Sequence, residues 1–245
     1  MANSYFQFKQ FTIQQDRCAM KVTTDGCLFG AFCSRESGVL SQEAVNRKVL
    51  DIGTGTGLLA LMVAQQNNVS IDAIEIDKDA FEQASVNIAA SPWADRITAI
   101  HADAKEFVFQ SKYNIIISNP PFYEKELKGD DAKRNIAHHN QGLLFQELLN
   151  IIKMNLNPDG TFYLLLPYKR NDEVKQLLTA NDFAIQQMTF VRQSVNHDYF
   201  RIILAGKFNS DNQAEMTIDE ISIKNENDSY TPAFVSLLKD YYLHL

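Results

Sequence analysis

Between residues 47 and 208 the chain alternates short apolar runs with longer amphipathic stretches, and this pattern constrains its fold more than any other feature. Seven apolar runs are typical of buried strands: 47–52, 70–77, 96–102, 113–118, 160–166, 183–192 and 199–208. Four stretches between them carry apolar residues at helical spacing: 57–66, 78–90, 143–156 and 168–180. Strands that alternate with helices form βαβ units, so the sequence predicts an α/β protein with a parallel sheet.

The connection between the last two predicted strands is short. Only residues 193–198 separate them, whereas parallel strands need a crossover of about a dozen residues or more. The pair is therefore predicted to be an antiparallel hairpin. The expected fold is Rossmann-like: a seven-stranded, mostly parallel sheet with an antiparallel C-terminal hairpin strand and helices on both faces.

The rest of the chain flanks this alternating region. Residues 1–46 are expected to form an N-terminal flank or lid, residues 47–208 the ligand-binding core, and residues 209–245 a C-terminal extension packed on the core. Within the extension, 216–224 is a candidate for one more short strand and 232–245 has the spacing of a final helix. A length of 245 residues fits one domain overall.

Composition excludes several classes of protein. A hydrophobic fraction of 45% and a charged fraction of 22% exclude disorder and coiled coil. The three cysteines form no C-x-x-C pair and have no histidine at zinc-ligand spacing, so we expect reduced thiols and no metal site. The first ten residues lack a signal-peptide pattern, and no apolar run approaches about 20 residues. The expected protein is cytoplasmic, monomeric and without a membrane partner.

A glycine-rich turn follows the first predicted strand and opens the first helix of the core. Its residues Asp51, Gly53, Gly55 and Gly57 have G-x-G-x-G spacing behind an acid. Glycines let the backbone turn tightly and approach a ligand closely. The spacing differs from the G-x-G-x-x-G of dinucleotide binders, which disfavours a dinucleotide dehydrogenase. The leading acid suits the cationic amino-acid part of a ligand.

Acidic residues end the next two predicted strands. Glu75 lies 18 residues beyond Gly57, where an acid of Rossmann-like folds accepts both ribose hydroxyls. Asp77 points to the same face and is the rival for that role. Asp103 ends the third strand, where an acid can accept a hydrogen bond from the amine of an adenine. With the glycine turn, these acids outline a ligand that contains a cationic amino acid, a ribose and an adenine, and S-adenosylmethionine fits all three.

The fourth predicted strand ends in the run Asn119, Pro120, Pro121, Phe122 and Tyr123. The Asn119 side chain and the Pro120 carbonyl are acceptors, and Phe122 offers a flat face for stacking. This set describes a site for an amino group on a planar conjugated system, such as adenine, guanine or the amide of glutamine. Acceptors on both amine hydrogens localise the lone pair, so that nitrogen can attack a sulfonium methyl in line. The predicted catalytic residues are therefore Asn119, Pro120 and Phe122.

At these residues the sequence resembles the class I methyltransferases, which use S-adenosylmethionine on a seven-stranded sheet with an antiparallel last strand. The run from Asn119 to Phe122 is similar to the Asn-Pro-Pro-[Tyr/Phe] signature of amino methyltransferases. The resemblance implies S-adenosylmethionine as the cofactor and S-adenosylhomocysteine as its product.

Both ends of the chain resemble one family more closely. Residues 6–11, 16–26, 230–232 and 238–243 are similar to the bacterial tRNA1(Val) adenine-N6 methyltransferases. The resemblance implies tRNA as the partner and the adenosine 3′ to the anticodon as the target. It also implies that Lys21 and Thr24, with their neighbours up to residue 26, close over the cofactor, and that residues 119–122 hold the target adenine. Thr24 departs from the family pattern, and residues 197–201 follow it loosely.

The net charge of −7, taken as a total, weighs against a nucleic-acid partner. The acidic surplus is concentrated in residues 211–228 and 72–82, however, whereas basic residues gather near the predicted strand ends. Local positive potential there can attract RNA despite a negative total, with modest and salt-dependent affinity. The predicted substrate-binding residues are Arg17, Pro121, Tyr123, Lys133, Arg134 and Arg201.

Three other functions compete with the leading hypothesis of a tRNA adenine-N6 methyltransferase. A protein-glutamine N5 methyltransferase shares the Asn-Pro-Pro-aromatic signature, but such proteins carry a sizeable N-terminal helical domain for which 46 residues leave little room. An rRNA guanine-N2 methyltransferase is the second alternative. A nucleotide-binding scaffold without catalysis is disfavoured by the intact Asn119 and glycines.

Overall fold

The computed structural model of the protein describes residues 3–18, 20–36, 47–120, 143–210 and 215–245. In these residues the strands are β1 (Tyr5–Gln7), β2 (Thr12–Gln14), β3 (Lys48–Ile52), β4 (Ser70–Glu75), β5 (Ile97–His101), β6 (Tyr113–Ser118), β7 (Leu156–Pro167), β8 (Phe183–Ser194), β9 (Tyr199–Phe208) and β10 (Thr217–Lys224). The helices are α1 (Thr24–Glu36), α2 (Leu58–Gln66), α3 (Lys78–Ala89), α4 (Phe145–Asn155), α5 (Asn171–Ala180) and α6 (Pro232–Leu238), and a short 3-10 turn covers Tyr168–Arg170.

Eight of the described strands form one sheet in the order β10-β8-β9-β7-β6-β3-β4-β5. Strand β9 runs antiparallel to both of its neighbours, β7 and β8, and the other neighbouring pairs are parallel. The predicted Rossmann-like α/β fold and its antiparallel hairpin are thus confirmed. The candidate strand at 216–224 forms the eighth strand, β10, which pairs with β8 and covers its edge.

The central strands are buried on both faces of the sheet. In β6, Ile115 and Ile117 belong to the apolar cluster beneath α1, α2, α3 and α6, whereas Ile116 belongs to the cluster beneath α4 and α5. Successive side chains of a strand point to opposite faces. Because both layers are apolar, the strand reads as a continuous hydrophobic run, which is why its position was predictable.

The amino-terminal segment contributes to the same core. Helix α1 places Leu28, Phe29 and Phe32 in the cluster that includes α2. A Cβ on Gly30 would lie 2.6 Å from the Met62 Sδ, so glycine at this position lets α1 and α2 approach closely. The division of the chain at residue 46 and the lid role of the residues before it stay predictions.

The two ends of the chain meet on this side of the sheet. Strands β1 and β2 form an antiparallel pair. Phe8, directly after β1, forms an isolated antiparallel bridge with Tyr242. The final helix ends at Leu238 rather than continuing to residue 245: the Tyr241 amide bonds the Leu238 carbonyl only three residues back in a tight turn, and Tyr242 pairs with Phe8. Across the described ranges, no helix is long and apolar enough to cross a membrane.

Candidate active site

The carboxyl ends of β3, β4 and β6 lie side by side at one end of the sheet, at the point where the order of the strands reverses. Strand β3 lies between β6 and β4, so the chain leaves it in one direction and later returns on its other side. In this register Ile52 of β3 lies beside both Ser118 of β6 and Ile74 of β4. The residues that follow, beginning with Gly53 and Asn119, border one crevice. Ligands of open α/β sheets bind in such a crevice.

The glycine turn lines this crevice with bare backbone. Gly53, Gly55 and Gly57 have φ angles of 71°, 58° and 83°, a left-handed conformation that side chains with a Cβ rarely adopt. A Cβ on Gly53 or Gly55 would meet nothing within 4 Å, so space for a ligand is open above these two residues. A Cβ on Gly57 would instead lie 3.6 Å from the Ala84 Cβ, so the third glycine lies against α3.

Asp51 is fully buried beneath this turn. Its Oδ2 accepts a 2.6 Å hydrogen bond from the Thr54 hydroxyl, whereas its Oδ1 has no well-formed hydrogen bond in the described part of the chain. Burial raises the pKa of Asp51 to about 7, and the charge of Glu75 adds to the rise, while the Thr54 hydroxyl and the Ala60 amide oppose it. A buried carboxyl with an unused oxygen fits a site that receives a cationic group.

The structure distinguishes Glu75 from Asp77, the two acids that the sequence offers as acceptors for the ribose hydroxyls. The Glu75 side chain is buried beside the glycine turn, where its Oε2 accepts a 2.8 Å hydrogen bond from the Gly55 amide. Its Oε1 accepts 3.0 Å bonds from the amides of Ile76 and Asp77. The exposed Asp77 instead caps α3, because its Oδ1 accepts a 2.8 Å bond from the Ala80 amide. The position of the carboxylates therefore favours Glu75 as the acid that faces the crevice.

Asp103 follows β5 next to the end of β4. The Ala102 amide donates a 3.1 Å hydrogen bond to the Glu75 carbonyl, which places the two strand ends side by side. The Asp103 carboxylate accepts a 2.9 Å bond from the Lys105 amide and lies 3.7 Å from the Lys105 ammonium group. Its side chain is partly exposed, so the carboxylate borders the same edge of the sheet as Glu75.

Asn119 and Pro120 follow β6 directly. The buried Ser118 hydroxyl donates a 2.8 Å hydrogen bond to the Ile52 carbonyl, and this bond joins the end of β6 to the end of β3. Asn119 is partly buried and Pro120 is buried. The predicted residues Pro121, Phe122, Tyr123, Lys133 and Arg134 lie outside the described residues, so their roles stay predictions.

The first turn of α1 lies close to the glycine turn. A Cβ on Gly26 would lie 3.6 Å from the Leu58 Cδ2, and Leu58 follows Gly57 directly. Helix α1 begins at Thr24, which the sequence predicted near the cofactor. Lys21 is exposed, and its ammonium group donates a 3.3 Å hydrogen bond to the Asn3 carbonyl.

Two predicted RNA-binding residues already have acidic partners. Arg17 pairs with Glu82 at 3.5 Å, and both side chains are largely exposed. Arg201 donates from Nε to the Asp25 Oδ2 at 2.7 Å, which joins β9 to the first turn of α1. Burial raises the pKa of Asp25, but hydrogen bonds from Thr23 and Arg201 outweigh burial and leave that pKa below its ordinary value. The pairing of Asp25 with Arg201 was not predictable from the sequence, since no spacing pattern relates two residues so far apart along the chain.

Metal binding has no candidate in the part of the chain that the structure describes. No group of three or more His, Cys, Asp or Glu residues there could hold an ion. The expectation of a metal-free protein stays a prediction.

The crevice, the glycine turn and the strand-end residues define a methyltransferase of the Rossmann-like class. The family described as Methyltransferase small domain matches residues 38–166, which span β3 to β7 and hence the whole crevice. A solved structure described as a predicted O-methyltransferase from Agrobacterium tumefaciens has the same fold, with a TM-score of 0.64 at 16% identity over 88% of this chain and 96% of that chain.

Relatives that match over their full length identify one family within this class of methyltransferases. A tRNA1(Val) (adenine(37)-N6)-methyltransferase from Phocaeicola vulgatus is 39% identical over 245 residues, which cover 100% of both chains. Another, from Dyadobacter fermentans, is 39% identical over 98% of both chains. The chain therefore belongs to the tRNA1(Val) (adenine(37)-N6)-methyltransferase family, as its two ends predicted.

Proposed function

We propose that the protein transfers the methyl group of S-adenosylmethionine to the N6 amino group of an adenine in tRNA, namely adenosine 37 in the anticodon loop of tRNA1(Val). The observation that carries the proposal is the full-length likeness to the relatives named above, which are named for this activity. The crevice supports it, because it brings Asn119 next to a glycine turn and a ribose-binding candidate.

The residues of the crevice fit S-adenosylmethionine. Open space above Gly53 and Gly55 admits the cofactor close to the backbone, and the unused Oδ1 of Asp51 suits its ammonium group. Glu75 would accept a ribose hydroxyl at Oε2, which accepts one backbone amide and keeps a second lone pair, whereas Oε1 already accepts two amides. When bound, the cofactor supplies a methyl group on a cationic sulfur.

Three further residues complete the proposed cofactor site. Asp103 would accept a hydrogen bond from the adenine amine of the cofactor, because its partly exposed carboxylate lies beside Glu75 at the sheet edge. Thr24, at the start of α1, and Lys21, just before it, would cover the site, because the next residues pack against Leu58 at the end of the glycine turn.

Asn119 and Pro120 would orient the target amine. The Asn119 side-chain carbonyl and the Pro120 backbone carbonyl would accept its two hydrogens and so direct its lone pair towards the methyl group. The new nitrogen–methyl bond would replace the sulfur–methyl bond, whose electron pair returns to sulfur, and one amine proton would pass to solvent. The Ser118–Ile52 hydrogen bond holds this pair against β3, so the acceptors need little reorganisation during the reaction. Phe122, with Pro121 and Tyr123, would stack the adenine and its neighbour.

Contact with tRNA would come from basic residues around the crevice. Arg17, Lys133, Arg134 and Arg201 are the proposed contacts, and the total charge of −7 makes their attraction local and salt-dependent. Arg17 and Arg201 would bind phosphate only by sharing or exchanging their present partners, Glu82 and Asp25. Action as a monomer and residence in the cytoplasm stay predictions.

The proposal is tested by incubating the protein with tritiated S-adenosylmethionine and total tRNA, followed by digestion to nucleosides. Label is expected in N6-methyladenosine, and an anticodon stem-loop with adenosine 37 replaced by guanosine should accept none. Label in N2-methylguanosine, or label only in added protein, would contradict the proposal in favour of a guanine-N2 or a glutamine-N5 methyltransferase.

A further inference from the structure

A second cleft lies across the first turn of α1 from the glycine turn. We name it the hairpin cleft; it has a volume of about 610 Å³ and is bordered by α1, the β8–β9 turn and the loop after β10. Thr24 and Asp25 form one wall, and their neighbour Gly26 packs against Leu58 at the start of α2. One helical turn therefore separates this cleft from the proposed cofactor site.

The inner walls of the hairpin cleft are apolar and aromatic. They are formed by Phe200, Ile223 and Tyr230. The Tyr230 ring is stacked on Phe234, with centroids 4.6 Å apart and an interplanar angle of 19°, and Phe200 packs against the main apolar cluster. Because these contacts hold both rings, the walls are preformed for a flat group. Volumes of about 300–1,000 Å³ are typical of sites for small molecules or parts of larger ligands.

The rim carries amides and carboxylates. Gln193 and Asn196 are exposed on the β8–β9 side and offer both donors and acceptors. Asp25 and Asp228 lie in ion pairs of 2.7 Å with Arg201 and Lys224, respectively.

Glu226 also borders the cleft and has no ion pair among the described residues. A phosphate would meet this carboxylate, and the two basic residues of the cleft already have partners: Lys224 pairs with Asp228, and the His197 Nδ1 is hydrogen-bonded to the Ser194 hydroxyl. A neutral planar group with N–H donors would meet complementary acceptors instead. The charge pattern of the cleft thus selects a nucleobase over a phosphate.

We propose that the hairpin cleft binds the nucleobase of a nucleotide next to the target adenosine. This inference rests on the proposed function, since it assigns a second contact to the same RNA. An enzyme that modifies a base must take it out of its stack, which also uncovers the neighbouring bases. Unstacked bases of loops are recognised by aromatic walls and by polar groups on their edges, which this cleft combines.

The cleft is tested with steady-state kinetics on an anticodon stem-loop. Phe200→Leu keeps an apolar side chain but removes the ring, and Gln193→Ala with Asn196→Ala removes only exposed groups. Each variant is expected to raise KM for the RNA about tenfold, because the first loses a ring that stacks on the base and the second loses polar groups that meet the edge of the base. The kcat and the affinity for S-adenosylmethionine should stay unchanged. Phe208→Leu is the matched control, since Phe208 is also partly buried but lies at the opposite end of β9.

A substrate series identifies the bound base. Stem-loops in which one neighbour of the target is made abasic are compared for binding by fluorescence anisotropy. One abasic position should weaken binding to the wild-type protein about tenfold and binding to Phe200→Leu hardly at all. Equal losses for both proteins, or no loss at any position, would overturn the proposal. Because binding is measured without methyl transfer, a wild-type protein that binds but methylates no tRNA would refute the proposed function alone.

Discussion

The Ser118 hydroxyl donates a 2.8 Å hydrogen bond to the Ile52 carbonyl, and both residues are buried where their strands end. Asn119, the proposed acceptor for the target amine, directly follows Ser118. Gly53, the start of the glycine turn, directly follows Ile52. Together with the parallel β3–β6 ladder, this bond fixes the spacing between the part of the crevice proposed to receive the nucleobase and the part proposed to receive the cofactor.

Ser118→Ala is expected to destabilise the protein by about 1 kcal/mol, since a buried hydrogen bond is lost. It should also lower kcat about tenfold, because small displacements of a positioned group reduce the rate steeply. Urea unfolding and single-turnover transfer measure the two effects. Ser85→Ala is the control: Ser85 bonds the Phe81 carbonyl within α3, away from the crevice, and its loss should leave kcat unchanged.

Asn119→Ala is expected to lower kcat by roughly 10²–10³-fold, the usual loss when a preorganised dipole at a reacting centre is removed. The affinity for S-adenosylmethionine, measured by calorimetry, should survive, because Asn119 belongs to the substrate side of the crevice. Full activity in this variant would show that another group orients the amine.

Glu75→Ala and Asp77→Ala should differ in their effect on cofactor affinity. Removal of the Glu75 carboxylate is expected to weaken S-adenosylmethionine binding at least about tenfold, because charged hydrogen bonds contribute roughly 1.5–3 kcal/mol each. It should also lower stability, since three backbone amides lose their acceptor. Removal of Asp77 takes away the cap of α3 and should cost about 1 kcal/mol of stability with little change in affinity. Calorimetry measures the affinity of both variants for S-adenosylmethionine, and urea unfolding measures their stability. A loss of affinity in Asp77→Ala but not in Glu75→Ala would assign the ribose to Asp77.

Asp51 should make the cofactor-free protein less stable as pH rises. Burial raises the folded-state pKa from 3.8 to about 7, so the folded state binds the proton more tightly than the unfolded state does. The resulting stability is fully present below about pH 4 and is lost as pH rises through 7, by a few kcal/mol at most. Asp51→Asn should abolish this contribution, so the unfolding free energy of the variant should change less between pH 5 and pH 8 than that of the wild type.

The same residue should make cofactor affinity increase with pH. A cationic ammonium group favours the ionised Asp51, so binding near pH 7 should release a proton. Calorimetry in buffers of different ionisation enthalpy would detect that proton. If Asp51→Asn released as much as the wild type, the ammonium group would have to lie elsewhere.

Several features were predictable because they depend on neighbours in the chain. Strands such as β6 are buried on both faces, so their positions show as continuous apolar runs. The antiparallel hairpin follows from a connection too short for a crossover. Gly53 and Gly55 were recognised from spacing, and their left-handed φ angles supply the physical reason for glycine.

Other features depend on residues that meet only after folding. Spacing placed both Glu75 and Asp77 at a strand end, but hydrogen bonds make one the neighbour of Gly55 and the other a helix cap. Asp25 and Arg201 are 176 positions apart, and no local pattern joins them. The final helix was expected to run on to residue 245, whereas a tight turn from Leu238 to Tyr241 and the pairing of Tyr242 with Phe8 end it earlier.

Local periodicity and turn chemistry were thus enough for the class of fold and the position of the glycine turn, because each reflects burial or backbone geometry within a few consecutive residues. The pKa of Asp51, the identity of the crevice-facing acid and the hairpin cleft were decided by packing. These properties depend on which distant groups exclude water from a side chain or share its hydrogen bonds, and a sequence read in order carries no distance between such groups.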